Sequence, residues 1–446
     1  MTQDWEFSPD YYQLSLEALE TALNKILAYQ SWRVYDPGVS FPVDTRYQAM
    51  PVLTKKDIRE HFPDGFVTPE MNIQKGLDSG EISFVNTSGT TDDKVTNIWN
   101  QKWWDASERA SWKLNAHASR LATGEHAEAI LVNPLNVGIA SDTIDLPLAE
   151  RSLARFLYLS ERTSYSAWTN RHMDRIIKEM AIFKPVILEA NPSLLAKLCR
   201  YAVESKQTIF QPGLIVITYE NPTKLHYRQI RQVFTCPTAS SYGTTETGYV
   251  FMQCEAGKIH QNSEFCRVDF QPLKKEHGGP LLGRILATPF HNDWYHLVRF
   301  DVGDLVRLDE RGKCACGRHT GMILSATEGR FVNATLTCSG RLVTSRELDN
   351  NLSVIEDIDE YKLEQINTDS YDLHLVSRQQ DKPQVANAAV SILKNLYGKQ
   401  AKITVKLEDK IAPESSGKYR ISKAFFPISI EDYLQKAITG IKQGLS

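Results

Sequence analysis

The chain has 446 residues, of which 42% are hydrophobic, 24% charged and 10% aromatic. This composition excludes a mainly disordered or fibrous chain, and the length favours a large domain plus at least one more, because single cores stop growing at about 250–300 residues. The net charge of -3, from 51 basic and 54 acidic residues, favours neither nucleic acid nor an acidic membrane surface as a partner.

The start of the chain, MTQDWEFSPDYYQ, lacks the basic and apolar pattern of a secretory signal. No stretch approaches the roughly 20 apolar residues of a membrane span. Seven cysteines are an odd number and too few for a disulfide scaffold in a chain of this length. We therefore expect a cytoplasmic protein with reduced thiols.

The first 80 or so residues are predicted to be helical and polar. In the segment SPDYYQLSLEALETALNKILAYQ the apolar residues recur at helical spacing, and Ser8 or Asp10 suits the N-cap. Another helix is predicted to begin just after Pro51. Residues 81–98 indicate a short strand, a loop of small hydroxyl residues and a second strand.

Helices and apolar strands then alternate. Residues 128–133 and 213–220 indicate buried strands, residues 173–190 a helix followed by a strand, and residues 193–206 a helix. This alternation predicts an α/β domain with mainly parallel sheets flanked by helices. Residues 296–310 are predicted as two extended segments joined by Asp-Val-Gly-Asp.

After Arg330 the pattern changes to short strands and helices that indicate a small α+β domain of about 110 residues. We therefore expect a large domain over residues 1–329 and a small mobile C-terminal domain over residues 330–446. The sequence shows no internal repeat or low-complexity segment.

Four segments have residue types suited to nucleotide chemistry. Thr87-Ser88-Gly89-Thr90-Thr91 offers backbone N–H groups and hydroxyls to a phosphate, although an ordinary Ser/Thr turn would look the same. In Ser240-Ser241-Tyr242-Gly243-Thr244-Thr245-Glu246 the tyrosine offers a stacking face and the glutamate an oxygen ligand for a hard cation. The alternative for this segment is a strand end followed by a turn.

The other two segments carry single charged groups. In Arg299-Phe300-Asp301-Val302-Gly303-Asp304 a carboxylate at a strand end could accept both hydroxyls of a ribose, and a simple turn is the alternative. In residues 413–420, PESSGKYR, a lysine beside a flexible glycine could place a positive charge on a developing negative one, and a solvated basic turn is the alternative.

Taken together and in this order, the segments resemble the motifs of the adenylate-forming superfamily of acyl-CoA synthetases, adenylation domains and luciferases. The matching motifs are TSGTT at 87–91, YGTTE at 242–246, RFDVGD at 299–304, EGR at 328–330 and PESSGKYR at 413–420. The compact length and a C-x-C-G-R stretch look most like the phenylacetate-CoA ligase branch.

The resemblance implies that a carboxylic acid is activated by ATP and Mg2+ to an acyl-adenylate and then passed to CoA. It implies that the 87–91 loop grips the β- and γ-phosphates, that Tyr242 stacks near adenine and that Asp304 holds the ribose with support from Arg330. Lys418 would bridge ATP and the acid, and Glu246 would lie near Mg2+. The residues implied to bind the nucleotide are Thr87, Ser88, Gly89, Thr90, Thr91, Ser241, Tyr242, Gly243, Thr244, Thr245, Glu246, Asp304, Arg330 and Lys418, of which Lys418, Glu246 and Thr91 are implied to be catalytic.

Three features depart from the family pattern. Asp92 and Asp93 follow the phosphate loop and would repel a triphosphate unless Mg2+ or Lys94 compensates. The hinge reads Arg330-Phe331-Val332-Asn333 and lacks the usual aspartate, and Thr218-Tyr219-Glu220 replaces the usual Gly-Gly-Glu. Adenylation is still expected despite these changes. The domain rotation that the second half-reaction needs is the step that they affect.

Three thiols and one imidazole form a candidate zinc set: Cys254, His260, Cys314 and Cys316. Such a set suits a tetrahedral structural zinc, and four unrelated reduced residues are the alternative. Ordinary packing is expected for the remaining cysteines, Cys199, Cys236, Cys266 and Cys338.

The resemblance implies that the acid lies near residues 133–140 and Thr218-Tyr219, whose small and apolar character favours an aryl or short apolar acid. Two alternatives to a CoA ligase stay open: transfer of the acyl group to a carrier-protein thiol or an amine, and a nucleotide-binding relative without turnover. No nucleic-acid or membrane partner is expected. The superfamily is often dimeric, but the sequence does not reveal the oligomeric state.

Overall fold

The computed structural model of the chain describes residues 5–87, 94–134, 138–164, 167–378, 382–414 and 418–435. Among the helices of these residues, none combines the length and apolar character that crossing a lipid bilayer requires.

Helices pack against both of the larger sheets. The first helix begins where the sequence predicted, because the side chain of Ser8 accepts a hydrogen bond from the backbone amide of Tyr11 and caps the helix. In the described residues the α-helices are α1 (Pro9–Lys25), α2 (Val43–Ala49), α3 (Lys55–His61), α4 (Ile73–Asp78), α5 (Gln101–Trp112), α6 (Ala116–Leu121), α7 (Asn170–Phe183), α8 (Pro192–Glu204), α9 (Lys224–Arg231), α10 (Ser345–Leu352) and α11 (Lys382–Tyr397).

The strands lie in two large sheets and two short hairpins. Before Arg330 they are β1 (Ser83–Asn86), β2 (Thr96–Trp99), β3 (Glu128–Leu131), β4 (Ser152–Leu153), β5 (Phe156–Tyr158), β6 (Ile187–Ala190), β7 (Leu214–Ile217), β8 (Thr238–Thr244), β9 (Gly248–Gln253), β10 (Ile259–Gln261), β11 (Cys266–Pro272), β12 (Leu282–Pro289), β13 (Phe300–Leu308) and β14 (Ile323–Arg330). Beyond it they are β15 (Thr335–Leu336), β16 (Leu342–Val343), β17 (Glu360–Gln365), β18 (Ser370–Val376), β19 (Lys402–Leu407) and β20 (Ser422–Ala424).

The larger sheet has twelve strands in the order β11-β12-β13-β14-β10-β9-β8-β7-β6-β3-β5-β4. Strands β8, β7, β6, β3 and β5 run parallel to one another, and the remaining strands extend this part antiparallel. The predicted α/β fold is confirmed. Strands β3, β6 and β7 have four residues each and are buried throughout, as expected where helices cover both faces of a sheet.

The two faces of the parallel strands differ in chemistry. One face carries Leu188, Ile215 and Ile217, which pack in a hydrophobic core with α7 and α8. The opposite face carries Glu128 and Glu189, both buried, among aliphatic side chains. Buried carboxylates are costly unless something pairs with them, so this acidic face requires partners.

The C-terminal part forms its own four-stranded sheet, ordered β19-β18-β17-β20. Alternate residues of β17 and β18, such as Leu363 and Leu373, pack with Leu393 of α11 in a separate core. Leu225 of α9 also belongs to this core, so the C-terminal sheet lies against α9.

One sequence prediction is wrong. Within residues 296–310, Phe300–Leu308 form one continuous strand, β13, which runs through the Asp-Val-Gly-Asp segment that was expected to join two extended segments. Gly303 has a φ of 80° within this strand. Glycine adopts this conformation without strain, so the strand kinks at Asp301–Asp304 and continues.

Candidate active site

The YGTTE segment lies at the end of β8 and the turn that follows it. Gly243 passes so close to the next strand that a Cβ there would lie 2.4 Å from the carbonyl oxygen of Gly248, which explains the glycine. Glu246 is buried, and Thr244 and Thr247 share a hydrogen bond of 2.9 Å between their hydroxyls. The turn is therefore tightly held and presents a buried carboxylate.

Tyr242 and Asp304 meet directly. The phenol of Tyr242 donates a hydrogen bond of 2.9 Å to Oδ2 of Asp304. Burial and the charge of Asp304 raise the pKa of this phenol well above its ordinary value, so it stays a donor. Asp304 in turn lies opposite Arg330 in the β13–β14 pair. The structure thus brings together three residues predicted for the nucleoside.

Lys418 approaches the same place from the C-terminal part of the chain. Burial, together with the positive charge of Arg330, lowers the pKa of the Lys418 ammonium, while the charges of Glu220 and Asp304 act in the opposite direction. The adjacent amide of Tyr419 donates a 3.1 Å hydrogen bond to Glu220. Lys418 is therefore held within the electrostatic field of the Asp304–Arg330 pair.

Glu220 was recognised in the sequence only as part of a departure from the family pattern, and the structure shows what it contacts. Its second carboxylate oxygen accepts a 2.8 Å hydrogen bond from the hydroxyl of Ser193 at the start of α8. Burial raises the pKa of Glu220, and its hydrogen bonds oppose that shift. Glu220 thus connects the lysine-bearing segment to the parallel sheet.

The predicted phosphate loop is only partly described. Thr87 ends the β1–β2 hairpin: its amide donates to the carbonyl of Val95 at 2.9 Å, and its hydroxyl accepts from the amide of Val95 at 3.1 Å. Residues 88–93, which include the predicted Ser88, Gly89, Thr90 and Thr91 as well as Asp92 and Asp93, lie outside the described residues. So do residues 135–137 of the predicted acid pocket and residues 415–417 beside Lys418.

The four candidate zinc ligands converge. Their ligand atoms all lie within 4.8 Å of one another, with Cys254 Sγ 3.5 Å from Cys314 Sγ and Cys316 Sγ 3.4 Å from His260 Nε2. Such separations are close to the edges of a tetrahedron of sulfur and nitrogen around zinc. His260 Nδ1 is buried and has no hydrogen-bond partner in the described part of the chain.

Beside Tyr219 lies a group of carboxylates that the sequence analysis missed. Tyr219 has a φ of 71°, and its phenol is hydrogen-bonded to the buried carboxyl of Glu189. Glu108 of α5 is hydrogen-bonded to Tyr249 close by. These glutamates are far apart in the sequence and follow no motif, so no pattern signalled their meeting.

Comparison with known proteins identifies structures that share the fold of this chain. Neither a protein-family model nor a curated protein sequence matches the chain. Among solved structures, 2-hydroxyisobutyryl-CoA ligase in the postadenylation state with 2-HIB-AMP is similar at a TM-score of 0.64 and 16% identity, over 92% of this chain and 88% of that chain. The same ligase in the thioesterification state has a TM-score of 0.51 and 17% identity, over 93% and 89% of the two chains.

A further similar structure is the amide bond synthetase McbA from Marinactinospora thermotolerans, with a TM-score of 0.51 and 14% identity over 76% of this chain and 67% of that chain. At sequence identities this low, the similarity shows a shared fold and nothing further. The chain has the fold of the adenylate-forming ligases.

Proposed function

We propose that this chain, which shares its fold with the adenylate-forming ligases, activates a carboxylic acid with ATP and transfers the acyl group to CoA. The observation that carries the proposal is the convergence of Tyr242, Asp304, Arg330 and Lys418 on one site. A half-buried tyrosine, a carboxylate and two cations are the groups needed to hold a nucleoside and to stabilise charge on its α-phosphate.

In the first step an oxygen of the substrate carboxylate attacks the α-phosphorus of ATP. The new bond joins acyl oxygen to phosphorus, the bond between the α- and β-phosphates breaks, and pyrophosphate leaves with the electron pair. Lys418 would stabilise the charge shared by the acid and the α-phosphate, because an ammonium held in a buried position interacts strongly with a developing anion. Tyr242, Asp304 and Arg330 would hold the nucleoside.

Mg2+ would be held by Glu246, whose buried carboxylate offers the oxygen ligand that this cation prefers. When bound, Mg2+ neutralises phosphate charge. The β- and γ-phosphates are assigned to residues 87–91, of which the structure describes Thr87. Thr245 and the backbone around Ser241, Gly243 and Thr244 would lie near the α-phosphate.

In the second step the thiolate of CoA attacks the carbonyl carbon of the acyl-adenylate and a C–S bond forms. The bond between the acyl carbon and the phosphate oxygen breaks, and AMP leaves with the electron pair. We place the hinge for the required rotation of residues 330–446 at residues 329–333. The hydroxyl of Ser422 donates a 2.6 Å hydrogen bond to the carbonyl of Asn333, which links the hinge to the small sheet. A carrier-protein thiol or an amine is the alternative acceptor, and a nucleotide-binding protein without turnover is the second alternative.

We also propose a structural zinc ion at Cys254, His260, Cys314 and Cys316. The donor set fits, since three thiolates and an imidazole complete a tetrahedron and leave no open position for catalysis. The ion would tie the β9–β10 turn to the β13–β14 connection. Because metal-binding thiols must stay reduced, a cytoplasmic location suits this site. A homodimer is the assembly that the resemblance to the superfamily suggests.

The proposal is tested by pyrophosphate release from ATP and Mg2+ with a panel of aryl, aliphatic and amino acids, with and without CoA. Acid-dependent release is expected, and it should vanish in Lys418→Ala but persist in Lys399→Ala, which removes an exposed lysine from the same part of the chain. Mass spectrometry of the products identifies the acceptor. Absence of acid-dependent release from folded protein that binds ATP would favour the nucleotide-binding alternative.

A further inference from the structure

Three carboxyl groups meet on the inner face of the parallel sheet. Glu128 of β3 and Glu189 of β6 are 1% and 7% exposed and lie on the same face, since Glu128 is opposite Ile187 in the strand register. Glu108 of α5 is close enough to both for its charge to act on them. This face lies toward α5, and the Tyr219 phenol is hydrogen-bonded to Glu189 on it.

Among the described residues, a basic side chain pairs closely with only part of this group of carboxyls. Arg155 donates a 2.6 Å hydrogen bond to Glu128, so the charge of that carboxylate is paired. Glu189 is instead hydrogen-bonded to Tyr219 and Glu128, and Glu108 to Tyr249. Segments 135–137 and 165–166, which follow β3 and β5 along the chain, contain no lysine, arginine or histidine.

The energetic consequence is visible in the pKa values. Burial is the main cause that raises the pKa of Glu108 to about 7, and the negative charge of Glu128 is the second cause. Burial and the neighbouring carboxylates also raise the pKa of Glu189 well above its ordinary value. Two glutamates in the group are thus costly to ionise in the absence of a further cation.

An unpaired hydroxyl points to a ligand at the same face. Ser241 is 6% exposed, and its Oγ has no hydrogen-bond partner among the described residues. Glu189 lies opposite Val216, and Val216 opposite Ala239, so Ser241, two residues further along β8, shares this face. A buried hydroxyl without a partner is unfavourable, and a polar ligand group would satisfy it.

Two consecutive residues connect this group to the segment that carries Lys418. Tyr219 and Glu220 are consecutive, and the left-handed backbone at Tyr219 directs its phenol to Glu189 while Glu220 binds the amide of Tyr419 beside Lys418. An acid whose carboxylate reaches Lys418 would therefore direct its other end toward Glu189 and Glu108.

Building on the proposed ligase function, we propose that the substrate is an aminocarboxylic acid whose ammonium group is bound by Glu189 and Glu108, with Ser241 as a further hydrogen-bond partner. An ammonium supplies the missing positive charge and three donors. This substrate class differs from the apolar acid that the sequence favoured, because the carboxylates come from three separated elements.

The experiment compares acids that differ at one group. Initial rates of pyrophosphate release are measured for amino acids with the amine at positions from α to ω, together with hydroxyl and methyl analogues of equal length. A 4-(aminomethyl)benzoate series serves as the aryl counterpart. At least one ammonium acid should exceed its hydroxyl analogue tenfold in kcat/KM.

Glu189→Gln and Glu108→Gln should each reduce that preference at least tenfold through KM for the acid, with KM for ATP changed less than threefold. Glu60→Gln is the matched control: it makes the same substitution at an exposed glutamate of α3, whose carboxylate lies 3.7 Å from the Lys56 ammonium. The control should keep the preference.

Activation of neutral acids in preference to every ammonium analogue would overturn this inference while leaving the ligase function standing, and this wild-type comparison needs no variant. A preference that survives in both glutamine variants would overturn it as well. Absence of release with every acid contradicts the ligase function itself, and this inference with it.

Discussion

The phenol of Tyr242 donates a 2.9 Å hydrogen bond to Asp304, although β14, β10 and β9 separate their two strands in the sheet. A flat sheet would hold strands so placed about 19 Å apart, since neighbouring strands are about 4.8 Å from each other. The contact therefore requires the strong twist and curl of a large sheet. It places the two side chains proposed to bind adenine and ribose in one small site.

Asp304→Asn should raise KM for ATP about tenfold or more. A carboxylate accepts two hydrogen bonds from a ribose, and hydrogen bonds to charged groups contribute about 1.5–3 kcal/mol. Tyr242→Phe keeps the ring that faces adenine and should change KM for ATP less than threefold. ATP–pyrophosphate exchange measures both, and equal losses in the two variants would contradict these roles.

The lowered pKa of Lys418 predicts how activity responds to pH. Because burial and Arg330 disfavour its charged form, Lys418 loses its proton at a lower pH than a free lysine does. The charge needed for adenylation is present below that pKa and is lost as the pH rises through it. The kcat/KM for ATP at saturating acid should fall on the alkaline side.

Lys418→Arg is the variant that checks this assignment. A guanidinium keeps its charge at every accessible pH, so the alkaline fall should move to higher pH even though the altered geometry lowers the maximum rate. An unchanged alkaline limb in Lys418→Arg would show that another group causes it.

Metal removal should destabilise the large sheet. Purified protein is expected to contain one zinc ion per chain by elemental analysis, and a strong chelator should lower Tm by several degrees, because a structural zinc contributes directly to folding. Cys314→Ser should lose the ion and its effect on Tm. Cys338→Ser changes a cysteine outside the cluster and should retain both. A zinc content near zero in reduced, folded protein would contradict the site.

Arg228 of α9 holds the small sheet in the position seen here. Its guanidinium donates hydrogen bonds to the carbonyls of Ser353 at 3.1 Å, Ile355 at 3.4 Å and Ile358 at 2.8 Å. Nearby, Gln229 donates to the carbonyl of Asp359 at 2.9 Å. In this arrangement Lys418 lies within the electrostatic field of Arg330, Asp304 and Glu220, so we expect these contacts to favour the proposed adenylation step.

Arg228→Ala should therefore slow acyl-adenylate formation several-fold and leave transfer from preformed acyl-adenylate to CoA unchanged or faster. Single-turnover assays of each half-reaction separate the effects. Arg231→Ala, on the exposed end of the same helix, is the control. A uniform loss in both half-reactions would indicate a general loss of stability instead.

The sequence was sufficient to predict the elements that depend on residues close together in the chain. Strands β3, β6 and β7 were predictable because short apolar runs between helices have few alternatives to buried parallel strands. The Ser8 cap and the need for glycine at Gly243 also depend on neighbours close in the sequence. Motif spacing alone nominated Tyr242, Asp304 and Lys418.

Only the tertiary structure determined which charged residues, far apart in the sequence, lie close together. The sequence could not reveal that Glu220 receives the Lys418 segment, or that Glu108, Glu128 and Glu189 share one buried face. A glutamate in a strand looks solvent-exposed until the sheet and α5 enclose it. Desolvation and charge pairing act through space, so the cost and use of those carboxylates were set by packing, whereas the strands that carry them were set by local hydrophobic pattern.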